Sequence, residues 1–137
     1  MRKWEVDLTL IEAWMDTLDD EEYDNLIAAL EQLEEHGPVA RRPFVDTLEG
    51  SKHPNIKELR PRPTRAGAHI RVLFAFDIRS QAIMLIAGDK AGNWSTWYAK
   101  HIPIADDLFT AHQERLPREG ADTAKAVDPK TRKGKKR

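Results

Sequence analysis

Apolar residues in the first forty positions recur at the spacing of amphipathic helices. One stripe falls within residues 11–18 and a second within residues 23–33, each following the i, i+3, i+4 pattern. Capping-box spacing precedes each stripe, at residues 9–12 and 19–22. Gly37 is followed by a proline, a combination that ends helices. The pattern therefore predicts an N-terminal hairpin of two helices.

Three later segments have the composition of β-strands. The second and third are rich in β-branched and aromatic residues, and residues 77–81 between them are short and polar enough for a hairpin turn. Pro103 is expected to open a last helix whose apolar stripe reaches Leu116. We predict an α+β fold, in which the helix hairpin packs on a small antiparallel β-sheet and a C-terminal helix follows. The expected strands are residues 56–60, 69–76 and 82–87.

Charge is segregated along the chain although the formal net charge is only −1. Residues 1–40 hold 12 acidic and 2 basic residues, whereas residues 41–74 hold 8 basic and 3 acidic residues. Residues 118–137 also hold 8 basic and 3 acidic residues and almost no large apolar residue, which predicts a disordered basic tail after a domain of residues 1–117. The layout favours a polyanionic partner for the basic segment, while simple solvation is the preferred explanation of the acidic helices.

The absence of cysteine removes disulfides, thiolate metal sites and thiol nucleophiles from consideration. No apolar run approaches membrane-spanning length, and the first residues lack the apolar stretch of a signal peptide. We therefore expect a cytoplasmic protein with no membrane contact. No metal or cofactor is expected.

Arg60 and Arg71 interrupt apolar runs, although a buried strand is expected to contain no charged residue. Alternation in the long strand places Arg71 on the face opposite the apolar set, a face that we expect to be uncovered. The same argument places Glu58 and Arg60 on that face and Lys57 on the core side, at its edge. Guanidinium groups match phosphate oxygens in shape and charge, so their convergence predicts an anion site. An ordinary cross-strand ion pair of Glu58 with either arginine is the alternative, and it predicts no binding.

The order of these motifs resembles a known family. Two helices, KELRP, a basic loop, RVLFAF, IMLIAGDK and a final helix are similar to the RelE/ParE superfamily of type II toxins, and to its HigB-like branch most of all. The resemblance covers residues 4–116. It implies a metal-independent endoribonuclease that cuts translated mRNA on the ribosome and arrests growth. It also implies a cognate antitoxin, in HigB-like pairs usually a HigA-like helix-turn-helix protein, through which alone operator DNA is contacted.

The resemblance also implies site residues. The ELR motif of the family falls on Glu58 and Arg60, its arginine in the following strand on Arg71, and the basic residue after the last strand on Lys90. Cleavage by a ribose 2'-hydroxyl needs a base, a proton donor and stabilisation of phosphoryl charge. The arginines suit the last task and Glu58 is the candidate base. Lys90 or Lys57 would supply a proton or charge.

Further residues are candidates for RNA contact. An aromatic residue that stacks on the nucleotide in RelE-like toxins would lie near Tyr98, although WSTWY also offers two tryptophans. Alternatively, these rings only pack the last helix onto the sheet. Prolines stiffen the basic loop at residues 61–68, which would hold its arginines toward a nucleic acid. The predicted RNA-binding residues are Arg62, Arg65, Trp97, Tyr98 and His101.

Two rival functions use the same scaffold. A ParE-like toxin poisons a topoisomerase such as gyrase without cutting RNA, and a non-catalytic module only binds nucleic acid. ParE-like chains tend to lose the basic set on the sheet face, and this chain keeps it. The resemblance therefore favours the nuclease.

Overall fold

A computed structural model describes the backbone of residues 3–127 and the side chains of residues 3–116. In this part of the chain the strands are β1 (Val6–Asp7), β2 (Val45–Thr47), β3 (Lys57–Leu59), β4 (Ile70–Phe76) and β5 (Ala82–Asp89), and the helices are α1 (Glu12–Met15), α2 (Asp20–His36) and α3 (Trp94–Val127). The strands form one sheet in the order β1-β5-β4-β3-β2. The sheet is mixed and not wholly antiparallel as expected, because β1 pairs in parallel with β5. The predicted α+β class is confirmed.

Helix α2 forms as its sequence predicts. Its capping box is present, with the Asp19 side chain accepting from the Glu22 N–H at 2.8 Å and the Glu22 carboxylate accepting from the Asp19 N–H at 2.9 Å. Gly37 ends the helix at a φ of 60°, and the Trp4 indole occupies the space that a Cβ would need there. Only glycine satisfies both conditions. The end of α2 and the packing of Trp4 therefore both depend on this glycine.

The first predicted helix is shorter than expected. A 3-10 turn at Thr9–Ile11 leads into the four residues of α1, and no side chain caps either segment. The Thr9 N–H instead donates to the Asp7 carboxylate at 2.9 Å. The capping box predicted at residues 9–12 is therefore wrong, and the helix hairpin is only loosely formed.

Both faces of the sheet are buried, which corrects the expectation of one uncovered face. On the first face, α2 packs against Leu59, Val72 and Phe74. On the second, Trp97, Ala105 and Phe109 of α3 pack against Leu73 and Ala75 of β4. The alternate positions of β4 are thus apolar on each side, and two apolar faces require two covering layers.

Helix α3 covers the second face because it begins nine residues earlier than Pro103, the expected start. The Trp97 N–H donates to the Asn93 carbonyl at 3.0 Å, and helical structure continues through Pro103. A proline inside a helix removes one backbone hydrogen bond and crowds the preceding turn, but buried Trp97 and Ala105 on either side of it hold the helix on the sheet. The backbone continues to Val127, past the domain boundary expected at residue 117, and residues 128–137 lie outside the described part.

Two buried polar contacts attach α3 to loops of the sheet. The Asp106 carboxylate accepts from the Ser51 hydroxyl at 2.5 Å and from the Lys52 N–H at 2.9 Å. Further along the helix, His112 bonds through Nε2 to the Asp77 carboxylate at 2.8 Å. These contacts fix α3 along the sheet and so help to set the position of its first turn.

Asp106→Ala is expected to lower the free energy of unfolding at pH 7 by about 1–3 kcal/mol, because it removes a buried carboxylate that accepts from the Ser51 hydroxyl and the Lys52 N–H. Burial opposes ionisation of Asp106, but bonds from Lys52, Ser51 and His53 outweigh it and lower the pKa. A lowered pKa stabilises the fold above the ordinary aspartate value of about 3.9 and loses that contribution as the pH falls through the folded-state pKa. Urea unfolding at pH 7 and at about pH 3 should therefore show the difference shrinking in acid.

Asp107→Ala is the matched control, because Asp107 is the exposed neighbour on the same helix. Exposed substitutions of this kind usually change stability by less than about 0.5 kcal/mol. An equal loss in both variants would show that the loop contact contributes nothing.

The open edge of β2 is occupied by local hydrogen bonds. The Arg60 N–H donates to the Phe44 carbonyl at 2.7 Å, so the antiparallel alternation turns the backbone of Val45 and Thr47 away from β3. The Val45 N–H then donates to the Arg41 carbonyl, and the Thr47 N–H to the Asp46 carboxylate. Unpaired edge groups are a template for pairing with another chain, and here both outward N–H groups are already bonded.

Within residues 3–127, no helix combines the length and the apolar character that crossing a membrane requires.

Candidate functional site

Glu58 lies at the centre of a group of polar side chains between the sheet and the first turn of α3. Alternation along β3 turns Glu58 toward α3, and only 4% of its surface is exposed. Its Oε1 accepts from the Arg60 guanidinium at 2.8 Å, and its Oε2 accepts from the Tyr98 hydroxyl at 2.5 Å. We call Glu58, Arg60, Arg71, Lys90 and Tyr98 the Glu58 cluster.

Arg71 is the most buried cation of the Glu58 cluster, with 4% of its surface exposed. One terminal nitrogen donates to the Ile70 carbonyl at 2.7 Å, while Nε has no hydrogen-bond partner among the described residues. Burial lowers the pKa of Arg71, and the nearby Arg60 charge lowers it further. A buried guanidinium with an unsatisfied nitrogen is costly, which indicates that it is retained for function.

Gly88 makes room for the residues that cover Arg71. It pairs with Arg71 across β4 and β5, and a Cβ at this position would lie 2.5 Å from the Trp97 indole nitrogen. The absent side chain lets Trp97 lie directly on the sheet. The first turn of α3 can therefore reach the Glu58 cluster.

Tyr98 is held as a neutral phenol. Burial raises its pKa to about 12, and both the hydrogen bond to Glu58 and the charge of that carboxylate contribute to the increase. The hydroxyl is therefore protonated throughout the physiological range and acts as a donor. It is in position to orient Glu58.

Lys90 brings a further cation to the cluster from the end of β5. Its backbone N–H donates to the His69 carbonyl at 2.9 Å, and its Nζ lies 5.5 Å from the centre of the Tyr98 ring. Burial lowers the pKa of Lys90, and the Arg71 charge lowers it further. The ammonium therefore releases a proton more readily than an ordinary lysine does.

Asp46 is a residue of this region that the sequence did not indicate. It pairs with Glu58 across β2 and β3, and its carboxylate lies 3.8 Å from the Arg60 guanidinium. A hydrogen bond from Arg42 lowers its pKa. Glu58 is therefore not the only carboxylate on this face. The missed signal was the Val-Asp-Thr alternation of β2, which is too short to stand out.

Three predicted basic residues lie away from the cluster. Lys57 faces the α2 side of the sheet and donates to the Pro38 carbonyl at 3.0 Å. The guanidinium of Arg62 lies 5.7 Å from the centre of the Phe44 ring. The backbone of Arg65 contacts the Glu21 carboxylate of α2. Both loop arginines are exposed, so they remain available to a long polyanion but not to the Glu58 cluster.

Trp97 and His101 form part of the packing between α3 and the sheet. Trp97 is 8% exposed, and its ring stacks on that of His101 with centres 4.2 Å apart. The His101 Nδ1 also bonds to the Trp97 carbonyl at 2.8 Å. Trp97 thus belongs to the core of the molecule, and no base can stack on it without displacing neighbours.

The Glu58 cluster combines a carboxylate, a neutral phenol and three cations within one patch. Such a set can bind a phosphodiester, accept a proton from a hydroxyl and stabilise charge on phosphoryl oxygens. Among the described side chains, no group of three or more His, Cys, Asp or Glu residues is arranged to hold a metal ion.

Comparisons with known proteins identify the family. A family model described as "Phage derived protein Gp49-like (DUF891)" matches residues 13–110. A Mycobacterium tuberculosis (strain ATCC 25618 / H37Rv) protein named "Putative toxin HigB2" is 47% identical over 133 residues, covering 97% of this chain and 62% of the relative. "Putative toxin HigB3" of the same strain is 48% identical over 99 residues, covering 72% of this chain and 83% of the relative.

The chain spans less than two thirds of the length of the first relative. The matched residues nevertheless include all five members of the Glu58 cluster. The resemblance to HigB-like toxins that the KELRP, RVLFAF and IMLIAGDK motifs carry is confirmed. This chain belongs to the Gp49-like (DUF891) family, the family of HigB-type toxins.

Proposed function

We propose that this chain is the toxin of a type II toxin–antitoxin system and that it cleaves mRNA during translation without a metal ion. The observation that carries the proposal is the placement of Glu58 between a guanidinium and a phenol, with Arg71 buried beside them. Membership of the family of HigB-type toxins supports the toxin role. Translated mRNA places the reaction in the cytoplasm.

The reaction starts with a ribose 2'-hydroxyl that attacks the adjacent phosphorus. Glu58 accepts the hydroxyl proton, since its carboxylate is the central acceptor of the cluster. Negative charge then builds on the phosphoryl oxygens, where fixed cations are most effective in a site with little water. Arg71 supplies the compensating positive charge from beneath the site. The lowered pKa of Lys90 suits its ammonium group to protonate the leaving 5'-oxygen.

Arg60 couples binding to activation of the base. It lies between two carboxylates, 2.8 Å from Glu58 and 3.8 Å from Asp46, and its side chain is 29% exposed. A phosphate that attracts the guanidinium draws it away from Glu58 and frees Oε1 for the 2'-hydroxyl. Tyr98 keeps Oε2 occupied, so the carboxylate stays oriented while its partner changes.

A cognate antitoxin neutralises the protein, as the family of HigB-type toxins implies. We propose a HigA-like helix-turn-helix protein for this role. Operator DNA is then contacted through the antitoxin. The mRNA and the ribosome are the proposed targets of the free toxin.

Expression of the chain without its antitoxin is expected to arrest growth and to produce new RNA 5'-ends within minutes. Mapping of RNA ends across the transcriptome measures the cleavage, and co-expression of the protein encoded beside the toxin should suppress it. Arrest with intact RNA and double-strand DNA breaks would replace this proposal with a topoisomerase poison. RNA binding without arrest would leave a non-catalytic module.

A further inference from the structure

Asp46 has one carboxylate oxygen that faces two arginines. Its Oδ1 accepts from the Thr47 N–H at 2.8 Å, so the backbone fixes the orientation of the carboxylate. Its Oδ2 accepts from Nε and from a terminal nitrogen of Arg42, at 3.0 and 2.7 Å. The guanidinium of Arg60 lies 3.8 Å from the same oxygen. An outer and an inner arginine therefore compete for Oδ2.

Arg60 is itself placed between two carboxylates. The terminal nitrogen that lies 3.8 Å from Asp46 donates to Glu58 at 2.8 Å. A distance of 3.8 Å is too long for a hydrogen bond, whereas 2.8 Å is typical of one. A movement of about 1 Å toward Asp46 would therefore exchange the two partners. In the structure Arg42 already neutralises Asp46, and Arg60 stays on Glu58.

Arg42 is the accessible end of this series of charges. The side chain of Arg42 is 74% exposed, that of Arg60 is 29% exposed and that of Glu58 is 5% exposed. An exposed ion pair is weak, because water screens both charges. An anion that arrives from solvent therefore reaches Arg42 first and can replace Asp46 as its partner.

A groove of about 300 Å³ beside β2 presents Arg42 to an anionic ligand. Its lining includes three basic residues, Arg41, Arg42 and Lys57, and the carboxylate of Asp46. An excess of positive charge in a concave surface concentrates anions there. Asp46 also pairs with Glu58 across β2 and β3, so the groove adjoins the Glu58 cluster. A polyanion that enters the cluster can therefore continue along the edge of β2.

We propose that Arg42 binds a backbone phosphate of the RNA outside the scissile one and thereby releases Asp46. The freed carboxylate then draws Arg60 away from Glu58. The inference rests on the proposed RNA cleavage and adds one binding residue, Arg42, and one positioning residue, Asp46. RNA shifts the equilibrium between the two positions of Arg60 because it binds more tightly when Arg42 is free of Asp46. The substrate thus activates the base that cleaves it.

The first test measures binding of a single-stranded RNA that carries 2'-O-methyl groups and cannot be cleaved. Arg42→Ala is expected to weaken binding and to reduce the slope of log Kd against log salt by about 0.7, the value for one phosphate contact on a single strand. Arg42→Lys keeps the charge and should restore the slope. Arg79→Ala is the charge-matched control, because Arg79 is exposed in the turn that follows β4. Parent affinity and parent slope in Arg42→Ala would overturn the proposal.

A crystal structure of Arg42→Ala tests the movement of Arg60 directly. With Oδ2 vacated, the Arg60 guanidinium should lie within about 3.2 Å of Asp46 and beyond hydrogen-bond distance from Glu58. In Asp46→Asn it should stay on Glu58, because the competing charge is gone. An Arg60 that remains on Glu58 in Arg42→Ala would overturn the coupling.

Cleavage kinetics give a readout that a merely structural ion pair would not change. Arg42→Ala should raise KM and keep kcat within about threefold of the parent value, since its base is already free. Asp46→Asn should lower kcat, by less than about tenfold, because Arg60 stays on Glu58. The double variant should have the kcat of Asp46→Asn alone. Equal kcat losses in the two single variants would overturn the coupling, since the pair would then act as one structural unit.

These outcomes separate the inference from the proposed function. If the parent protein cuts no RNA, but the salt slope and the position of Arg60 both depend on Arg42, the coupling stands and the nuclease does not. If the parent cuts RNA, and Arg42→Ala binds and cuts it as the parent does, the nuclease stands and the coupling does not.

Discussion

Glu58→Gln is expected to slow RNA cleavage by about 10²- to 10⁴-fold, the usual contribution of a positioned base. Glutamine has nearly the same volume and still offers an oxygen to Arg60 or Tyr98, but its amide cannot take up the 2'-hydroxyl proton. The loss should appear in kcat and not in KM, because the interaction matters in the transition state. Initial rates on an RNA oligonucleotide, with programmed ribosomes if free RNA is not cut, measure both constants.

Asp46→Asn is the matched control for this substitution. Asp46 faces Glu58 across the sheet and lies near the same arginine, but Arg42 already holds its carboxylate at 2.7 Å. A carboxylate that only orients Arg60 should change the rate by less than about tenfold when it is neutralised. Comparable losses in the two variants would contradict a unique base and would indicate that the pair of carboxylates acts together.

Arg71→Met is expected to reduce cleavage by about 10²- to 10³-fold without loss of stability. The guanidinium is the buried source of positive charge in the Glu58 cluster, and methionine fills similar space with no charge. Removing a buried cation with an unpaired nitrogen also removes a desolvation penalty, so the urea midpoint should stay the same or rise. Cleavage rates and urea unfolding of the same preparations test both parts.

Two further variants sharpen the result for Arg71. Arg71→Lys keeps the charge but loses the planar fork, so a partial recovery of the rate would show that charge is the main contribution. Lys57→Ala, on the opposite side of the sheet, should cleave at the parent rate. An inactive Arg71→Met that is also unfolded at 25 °C would assign Arg71 to the fold and not to the reaction.

Local sequence patterns predicted most of the secondary structure. The cap at Asp19 with Glu22, the long strand β4 and the hairpin to β5 formed where expected, because each depends on residues close together in the chain. The same alternation correctly placed Arg71 and Glu58 on one face. Which element packs on that face depends on the tertiary structure, and periodicity alone does not predict it.

The covering of that face by α3 had a signal that we did not use. Leu73 and Ala75 share the face of Arg71, and two buried apolar residues there are better explained by a packed layer than by an open surface. Pro103 misplaced the start of α3, since a proline is commoner at the first turn of a helix than inside it. The aromatic residues upstream of Pro103 indicate the start of α3 better than the proline does.

The candidate site was predictable only in part. Glu58, Arg60 and Arg71 are neighbours because they lie on adjacent strands, and strand alternation is readable. Lys90 and Tyr98 join them through the turn before α3, whose geometry the sequence does not specify. Lys57, Arg62 and Arg65 stay apart, because a basic residue near a site in sequence need not face it in the fold.

The occupied edge of β2 limits how an inhibitor can recognise this protein. An incoming chain that sought to lengthen the sheet there would find carbonyls but no vacant amide donor at Val45 or Thr47. Recognition by backbone pairing at that border is therefore disfavoured. The proposed antitoxin should instead bind through side-chain complementarity, which would make it selective for its own partner.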